Sequence, residues 1–156
     1  MWTKPKKPDL LDASELRRAI IDLLSRRDYS RLELSRKFKD RCADPDVLEQ
    51  LLDDFSERNW QSDSRFAESF VNARFSRGLG PIRLKQELRE KGIDSQTISL
   101  TFEACEHDWF SAALDVAQKK HQRLKADDPN SKQKLYRFLA YRGFTSDQIS
   151  YAMDEL

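Results

Sequence analysis

Glycine and proline are scarce in this chain, four and five among 156 residues. A sheet-rich domain needs them at its many tight turns and a disordered chain is enriched in proline and glycine, so neither class fits. Long apolar runs are also missing. No stretch approaches the roughly 20 residues that cross a bilayer, and the basic N-terminus, Met1 to Pro8, lacks the apolar centre of a secretory signal. The chain is therefore expected to be cytoplasmic, with no membrane partner. Cysteine occurs twice, at Cys42 and Cys105; the two form no close-spaced ligand pair, which argues against a disulfide framework and a zinc site. His107 and His121 have no cysteines at zinc-finger spacing. There is no phosphate-cradling glycine loop followed by Lys-Ser/Thr, and Gly78-Leu79-Gly80 is too short for a dinucleotide fingerprint and reads as a turn plus helix N-cap. No catalytic residues, metal or cofactor are expected. One sign of charge does not dominate either: 28 Lys and Arg face 27 Asp and Glu, and no repeat is basic as a whole, whereas a conventional nucleic-acid domain carries a clear excess of Lys and Arg.

What is abundant is charge of both signs, 35% of residues, set in a helical pattern. Three blocks of 22 positions align without a gap, carrying Leu34, Phe38, Leu48, Leu52 and Phe55, then Leu84, Leu88, Ile98, Phe102 and Cys105, then Leu135, Leu139, Ile149, Met153 and Leu156. The spacings of four and three describe two short amphipathic helices and a turn. Ser30, Gly80 and Ser131 stand where the first helix of each pair starts, Ser30 with Glu33 as a capping box and Pro81 after Gly80 at the first helical position. Asp44, Asp94 and Thr145 start the second helix. Between them lie Cys42, Gly92 and Gly143; the glycines permit a left-handed helix end and the next apolar residue folds back. Cys42 breaks that pattern and predicts a differently built first turn. A further helix precedes each pair, from Ser14, Ser64 and Asp108. The fold class is therefore all-α, three tandem three-helix repeats at 14–61, 62–106 and 107–156 after an N-terminal arm at 1–13. Units of about fifty residues bury too little alone and should lean on one another in an elongated, curved array. Trp2 in the arm either packs on the first repeat or helps a partner contact.

The most distinctive segment runs from DSRFAESFVNAR at Asp63 into RGLGPIRLKQELREKGI at Arg77. Between Arg74 and Lys91 six cationic residues face two glutamates. Arg74, Arg77 and Arg83 are expected to gather at one helix N-terminus, and a guanidinium fork suits carboxylate or phosphate. These residues closely resemble the RecX family, bacterial regulators of the RecA recombinase, with the most specific motif at Phe66-Ala67, Gly80-Pro81, Arg83, Glu87-Leu88 and Lys91-Gly92-Ile93. The resemblance spans nearly the whole chain and implies a monomeric inhibitor that binds the RecA filament on single-stranded DNA and blocks its extension, ATP hydrolysis, strand exchange and stimulated repressor cleavage, in the setting of DNA repair and the SOS response. Arg74, Arg77, Arg83, Lys85, Arg89 and Lys91 are expected as central contacts to RecA or DNA, with Arg26, Arg27, Arg41 and Arg142 flanking them. The rival reading is a helix-turn-helix DNA-binding protein, but Glu49, Asp53 and Asp54, Glu103 and Glu106, and Asp147, Asp154 and Glu155 on the second helices oppose phosphate. Weak, non-specific DNA binding through the arm and basic turns stays open, as does a plain scaffold.

Overall fold

The computed structural model describes residues 2–3 and 9–156. The described residues form nine α-helices, one short 3-10 helix and no strand: α1 Ala13–Arg26, α2 Arg31–Phe38, α3 Pro45–Glu57, α4 Asp63–Phe75, α5 Pro81–Glu90, α6 Ser95–Ala104, α7 Trp109–Arg123, α8 Ser131–Tyr141 and α9 Ser146–Asp154, with the 3-10 turn at Lys39–Arg41. The all-α class built from successive helix triplets is thus the fold. Trp2 is fully exposed and does not pack on the first triplet; Met1 and residues 4–8 of the expected arm lie outside the described residues.

Two compact units divide the chain. The first comprises the residues up to Phe66 together with Lys91–Ile93. Its core is Leu16 and Ile20 from α1, Leu34 and Phe38 from α2, and Leu48, Leu52 and Phe55 from α3, joined by Cys42. The four-residue spacing places each set on one helix face, and burying such side chains contributes about 1.5–3 kcal/mol apiece before the entropy of ordering them is counted. Capping is as the sequence implies: Asp12 with Glu15 and Ser30 with Glu33 form reciprocal boxes, and Asp44 accepts from the Asp46 N–H ahead of Pro45. The first turn does differ from the glycine-closed pattern. Without a glycine, α2 tightens into the 3-10 turn and Cys42 leaves in an extended conformation, where the Leu11 N–H donates to the Arg41 carbonyl at 2.8 Å. A second departure ends α3, where Asn59 adopts φ +58°, a left-handed position that asparagine tolerates better than most residues. Just beyond, buried Gln61 donates to the Tyr29 carbonyl at 3.3 Å and to Asp63 at 2.9 Å, and Asp63 in turn accepts from the Arg31 N–H. Polar bonds thereby seat the start of α2 against the start of α4.

The second unit comprises Ala67–Glu90 and Asp94–Leu156. Ala112, Ala113 and Ala117 line the inner face of α7 and pack with Leu135 and Leu139 of α8, and Ile149 and Ala152 of α9. Small residues on α7 let α8 and α9 approach closely. Thr145, an expected helix start, forms a capping box with Gln148, and Asp94 caps α6 through the Thr97 N–H. Ser131 is the first residue inside α8 rather than its cap. Asn130 takes the cap position without a side-chain bond, because Asp128 already organises the turn by accepting from the N–H of Asn130 at 2.8 Å and, through its carbonyl, from that of Ser131. Of the aligned apolar positions, Phe102, Cys105 and Met153 are only half-buried, and Leu156 is exposed at the chain end.

Gly143 ends α8 with φ +96°, and Phe144 behind it is buried. A β-carbon at Gly143 would lie 2.6 Å from the Arg83 backbone nitrogen and collide with the Arg83 side chain. Gly143→Ala therefore combines left-handed strain with a clash against backbone and is expected to destabilise the protein by about 3 kcal/mol; a fall in melting temperature of under about 2 °C would show that the contact is not tight.

Candidate partner-binding surface

Within the second unit the end of α8 is fastened to the start of α5. The Gly80 N–H donates to the Arg142 carbonyl at 2.7 Å and the Ile82 N–H to the Gly143 carbonyl at 2.9 Å. Both ends gain, since the first N–H groups of a helix and the last carbonyls of another have no partners within their own helices and carry opposite partial charge. Arginines gather around this joint. The Arg142 guanidinium donates to the Arg77 carbonyl at 3.1 Å and lies 4.9 Å over the Phe138 ring. Arg83 lies 5.3 Å over the largely exposed Tyr141 ring and donates through Nε to Glu87 Oε1 at 3.2 Å. Arg74, stacked on Phe70 at 3.6 Å, places its Nε 3.3 Å from Glu87 Oε2. That contact is an ion pair without hydrogen-bond alignment, for Oε2 is buried and accepts no hydrogen bond. One carboxylate thus sits between two guanidinium groups, while no carboxylate of the described residues pairs with Arg77 or Arg142. Of the expected meeting at the head of α5, Arg74 and Arg83 come together on Glu87, while Arg77 is tied in through its carbonyl, which accepts from Arg142.

The other expected residues have separate surroundings. Lys85 lies 5.0 Å over the Phe102 ring and Arg89 touches Gln86 at 3.5 Å. At 100° per residue, positions 85 and 89 project from a different side of α5 than 83 and 87. In the first unit Arg27 pairs with Glu33 at 3.0 Å and covers the Tyr29 ring at 3.5 Å, and Lys91 reaches the same Glu33 oxygen at 3.8 Å. Arg26 forms an exposed pair with Asp22 at 2.9 Å, and Arg41 donates to the Asp9 carbonyl at 3.4 Å. Arg41, Lys91 and Arg142, which precede Cys42, Gly92 and Gly143 at one position of the aligned blocks, therefore have three different roles. Reading the residues singly misses Glu87, the counterion of the cluster, although its four-residue distance from Arg83 announces it, and Tyr141, which has no such signal. Also missed are Lys119, Lys120 and Arg123, whose spacing marks a basic face on α7.

Chemically the surface offers guanidinium forks and aromatic rings. That equipment recognises carboxylate or phosphate and orients a charged partner. Among the described residues no group of three or more His, Cys, Asp or Glu is placed to hold a metal ion, and no helix is long and apolar enough to cross a membrane.

Glu33 carries a pH signature. Burial pushes its carboxyl upward, but the Arg27 hydrogen bond, the Ser30 N–H and the charges of Arg27 and Lys91 outweigh it and hold the pKa below the ordinary glutamate range. A lowered folded-state pKa contributes stability above the unfolded value and loses it as pH falls through the folded one. Melting temperature is expected to drop from pH 5 to pH 3, and Glu33→Gln to start lower at pH 7 and fall less steeply; parallel curves for the two proteins would remove Glu33 from the account.

Family models described as the second and the third three-helix domain of RecX match residues 62–100 and 106–153. A protein named Regulatory protein RecX from Pseudomonas fluorescens is 40% identical over 135 residues, covering 86% of this chain and 87% of the relative. One of the same name from Actinobacillus pleuropneumoniae serotype 5b is 42% identical over 135 residues, covering 86% and 88%. Among solved structures, RecX from Lactobacillus salivarius superposes with a TM-score of 0.81 at 23% identity over 92% of this chain and 96% of that one, and another crystal structure titled regulatory protein RecX with 0.79 at 21% over 91% and 71%. The structures share the fold, and the identity to the sequence relatives over most of both lengths settles the family: this chain belongs to the RecX family of regulatory proteins.

Proposed function

We propose that this protein is a non-enzymatic inhibitor of the RecA recombinase, which it engages as a filament on single-stranded DNA, hindering filament extension and with it ATP hydrolysis, strand exchange and coprotease activity in DNA repair and the SOS response. The observation that carries the reading is membership of the RecX family joined to the arginine cluster at the head of α5. Arg77 and Arg142 there have no ion-pair partner among the described residues, and Arg83 and Arg74 share one carboxylate. Such groups bind a partner's carboxylate or phosphate without first breaking a strong internal pair. Lys85 and Arg89 on another side of α5, and Arg26, Arg27, Arg41 and Lys91 in the first unit, are proposed as secondary contacts. The modules that carry them are taken as 14–61, 62–106 and 107–156 behind the arm at 1–13, and contacts from several linked modules strengthen one another through effective concentration. The protein acts as a monomer in the cytoplasm, with weak, salt-sensitive affinity for DNA alone.

The helix-turn-helix alternative has less support. On α3 the acids at recognition-helix positions are tied up with this chain's own arginines, Glu49 and Asp53 with Arg31 at 2.7 and 2.8 Å, and Asp54 with Arg17 and Arg58 at 3.0 and 2.9 Å. The last turns of α3, α6 and α9 carry no basic residue. A helix so equipped has little to offer a major groove. Replacing Arg77 and Arg83 together by alanine is expected to raise about tenfold the protein concentration that half-inhibits RecA ATP hydrolysis on circular single-stranded DNA, equivalent to about 1.4 kcal/mol, at unchanged helicity. Undiminished inhibition would refute the role of the cluster; absence of inhibition by the unaltered protein would refute the function.

A further inference from the structure

On the far side of the Arg77–Arg142 contact the second unit holds a groove of about 420 Å³, lined by residues from the end of α4, from α7 and from α8. Its size lies within the range of about 300–1,000 Å³ typical of ligand clefts. Phe75, Ala112, Val116 and Phe138 contribute an apolar floor, and Arg77, Lys119, Lys120, Arg123 and Arg142 supply the cations, with Asp108 and Asp115 the acidic lining residues. Elsewhere arginines such as Arg31, Arg65 and Arg27 are engaged by the chain's own carboxylates. The groove gathers cations that are not. None of its five cations has a carboxylate partner among the described residues, and Lys120 and Arg142 instead lie over the Phe138 ring at 4.7 and 4.9 Å.

We propose that this groove is a docking site for an acidic peptide segment that also bears apolar side chains. Charge complementarity selects an anionic occupant, and two observations favour a peptide over a nucleic-acid backbone. The apolar floor gives no advantage to a phosphodiester chain, which would need an open ring to stack its bases, and cations occupy the space over Phe138. Asp108 and Asp115 repel phosphate, but they accept hydrogen bonds from peptide N–H groups, donors that a phosphodiester lacks. An extended peptide places alternate side chains in opposite directions, so leucine or phenylalanine reaches the floor while aspartate and glutamate meet Lys119, Arg123 and Arg77 at the edge. The site needs nothing from the filament reading, and its test contains no recombinase.

The probe is a fluorescein-labelled decapeptide, Glu-Asp-Leu-Glu-Asp-Phe-Glu-Asp-Leu-Glu, titrated with the full chain by fluorescence anisotropy. Binding is expected at about 10–100 µM, weakening as salt rises, as for contacts that rely on exposed charge. The double variant Lys119→Glu, Arg123→Glu should weaken it at least about tenfold with its circular dichroism melt unchanged, and Val116→Ser should weaken it less. Replacing the peptide's leucines and phenylalanine by serine should also cost affinity. Equal binding by wild-type and double variant, or no binding at all, would overturn the proposal. Equal or tighter binding of the serine peptide or of a ten-nucleotide thymidine strand would overturn it too, because the groove would then be a general polyanion surface.

Discussion

The joint where the left-handed turn after α8 meets the first residues of α5 sets the geometry of everything basic around it. A β-carbon on Gly80 would lie 2.5 Å from the Gly143 carbonyl oxygen and the Phe144 nitrogen, so the two backbones approach as closely as their atoms allow. Two short hydrogen bonds run across it. These bonds join a negative helix end to a positive one, and they bring Arg142 to the Arg77 carbonyl and Arg83 to Tyr141. The first unit repeats the close approach alone: Gly92, with φ +81°, presses against Leu32 at the head of α2, where a β-carbon would stand 2.6 Å from the Leu32 β-carbon. Lys91 beside it reaches Glu33. The repeated left-handed glycine thus meets the head of a helix at both places, with different charged residues beside it.

Near-neutrality of the chain conceals an uneven use of charge. In the first unit the arginines are largely spent internally, Arg17 and Arg58 on Asp54, Arg31 on Glu49 and Asp53, Arg65 on Asp28. These pairs are partly exposed, and each contributes on the order of 0–1 kcal/mol; their larger effect is to hold helices in register and to cancel charge locally. In the second unit the balance differs, because Glu87 alone answers Arg74 and Arg83, while the groove cations, Arg77 among them, have no such answer. A net charge of +1 is therefore compatible with a surface that attracts anions, provided the fold separates the pairs from the surplus.

A regulatory protein that works by contact needs surface more than a pocket for chemistry, and helix triplets supply surface from short local elements. Function in such a fold lies in what the helices display, since the same architecture elsewhere carries unrelated tasks. Here the display is arginine-rich at the head of α5 and mixed apolar and basic along α7. The first is the basis for the proposed engagement of RecA; the second shares Arg77 and Arg142 with it and differs in its apolar floor and in the cations of α7.

Local information settled much of this protein. The spacing of Leu34, Phe38, Leu48, Leu52 and Phe55 dictates amphipathic helices because only one face can leave water, and the caps at Asp12, Ser30, Asp94 and Thr145 follow from orphan N–H groups that a short polar side chain satisfies. The odd turn at Cys42 was legible too, since a residue with a β-carbon is disfavoured in the left-handed position glycine takes. The sequence neighbourhood also placed Arg74, Arg77 and Arg83 near one turn, where Arg74 and Arg83 share Glu87. What tertiary structure alone decided is which distant groups meet. Glu87 becomes the shared counterion, Arg142 and Tyr141 join a cluster some sixty residues away in sequence, and Lys85 and Arg89 part from Arg83 on the same helix. Lys119 and Arg123 acquire a groove instead of a plain solvated face. Ion pairs between elements depend on how helix ends dock, and that docking is set by backbone contacts between residues that no periodicity connects.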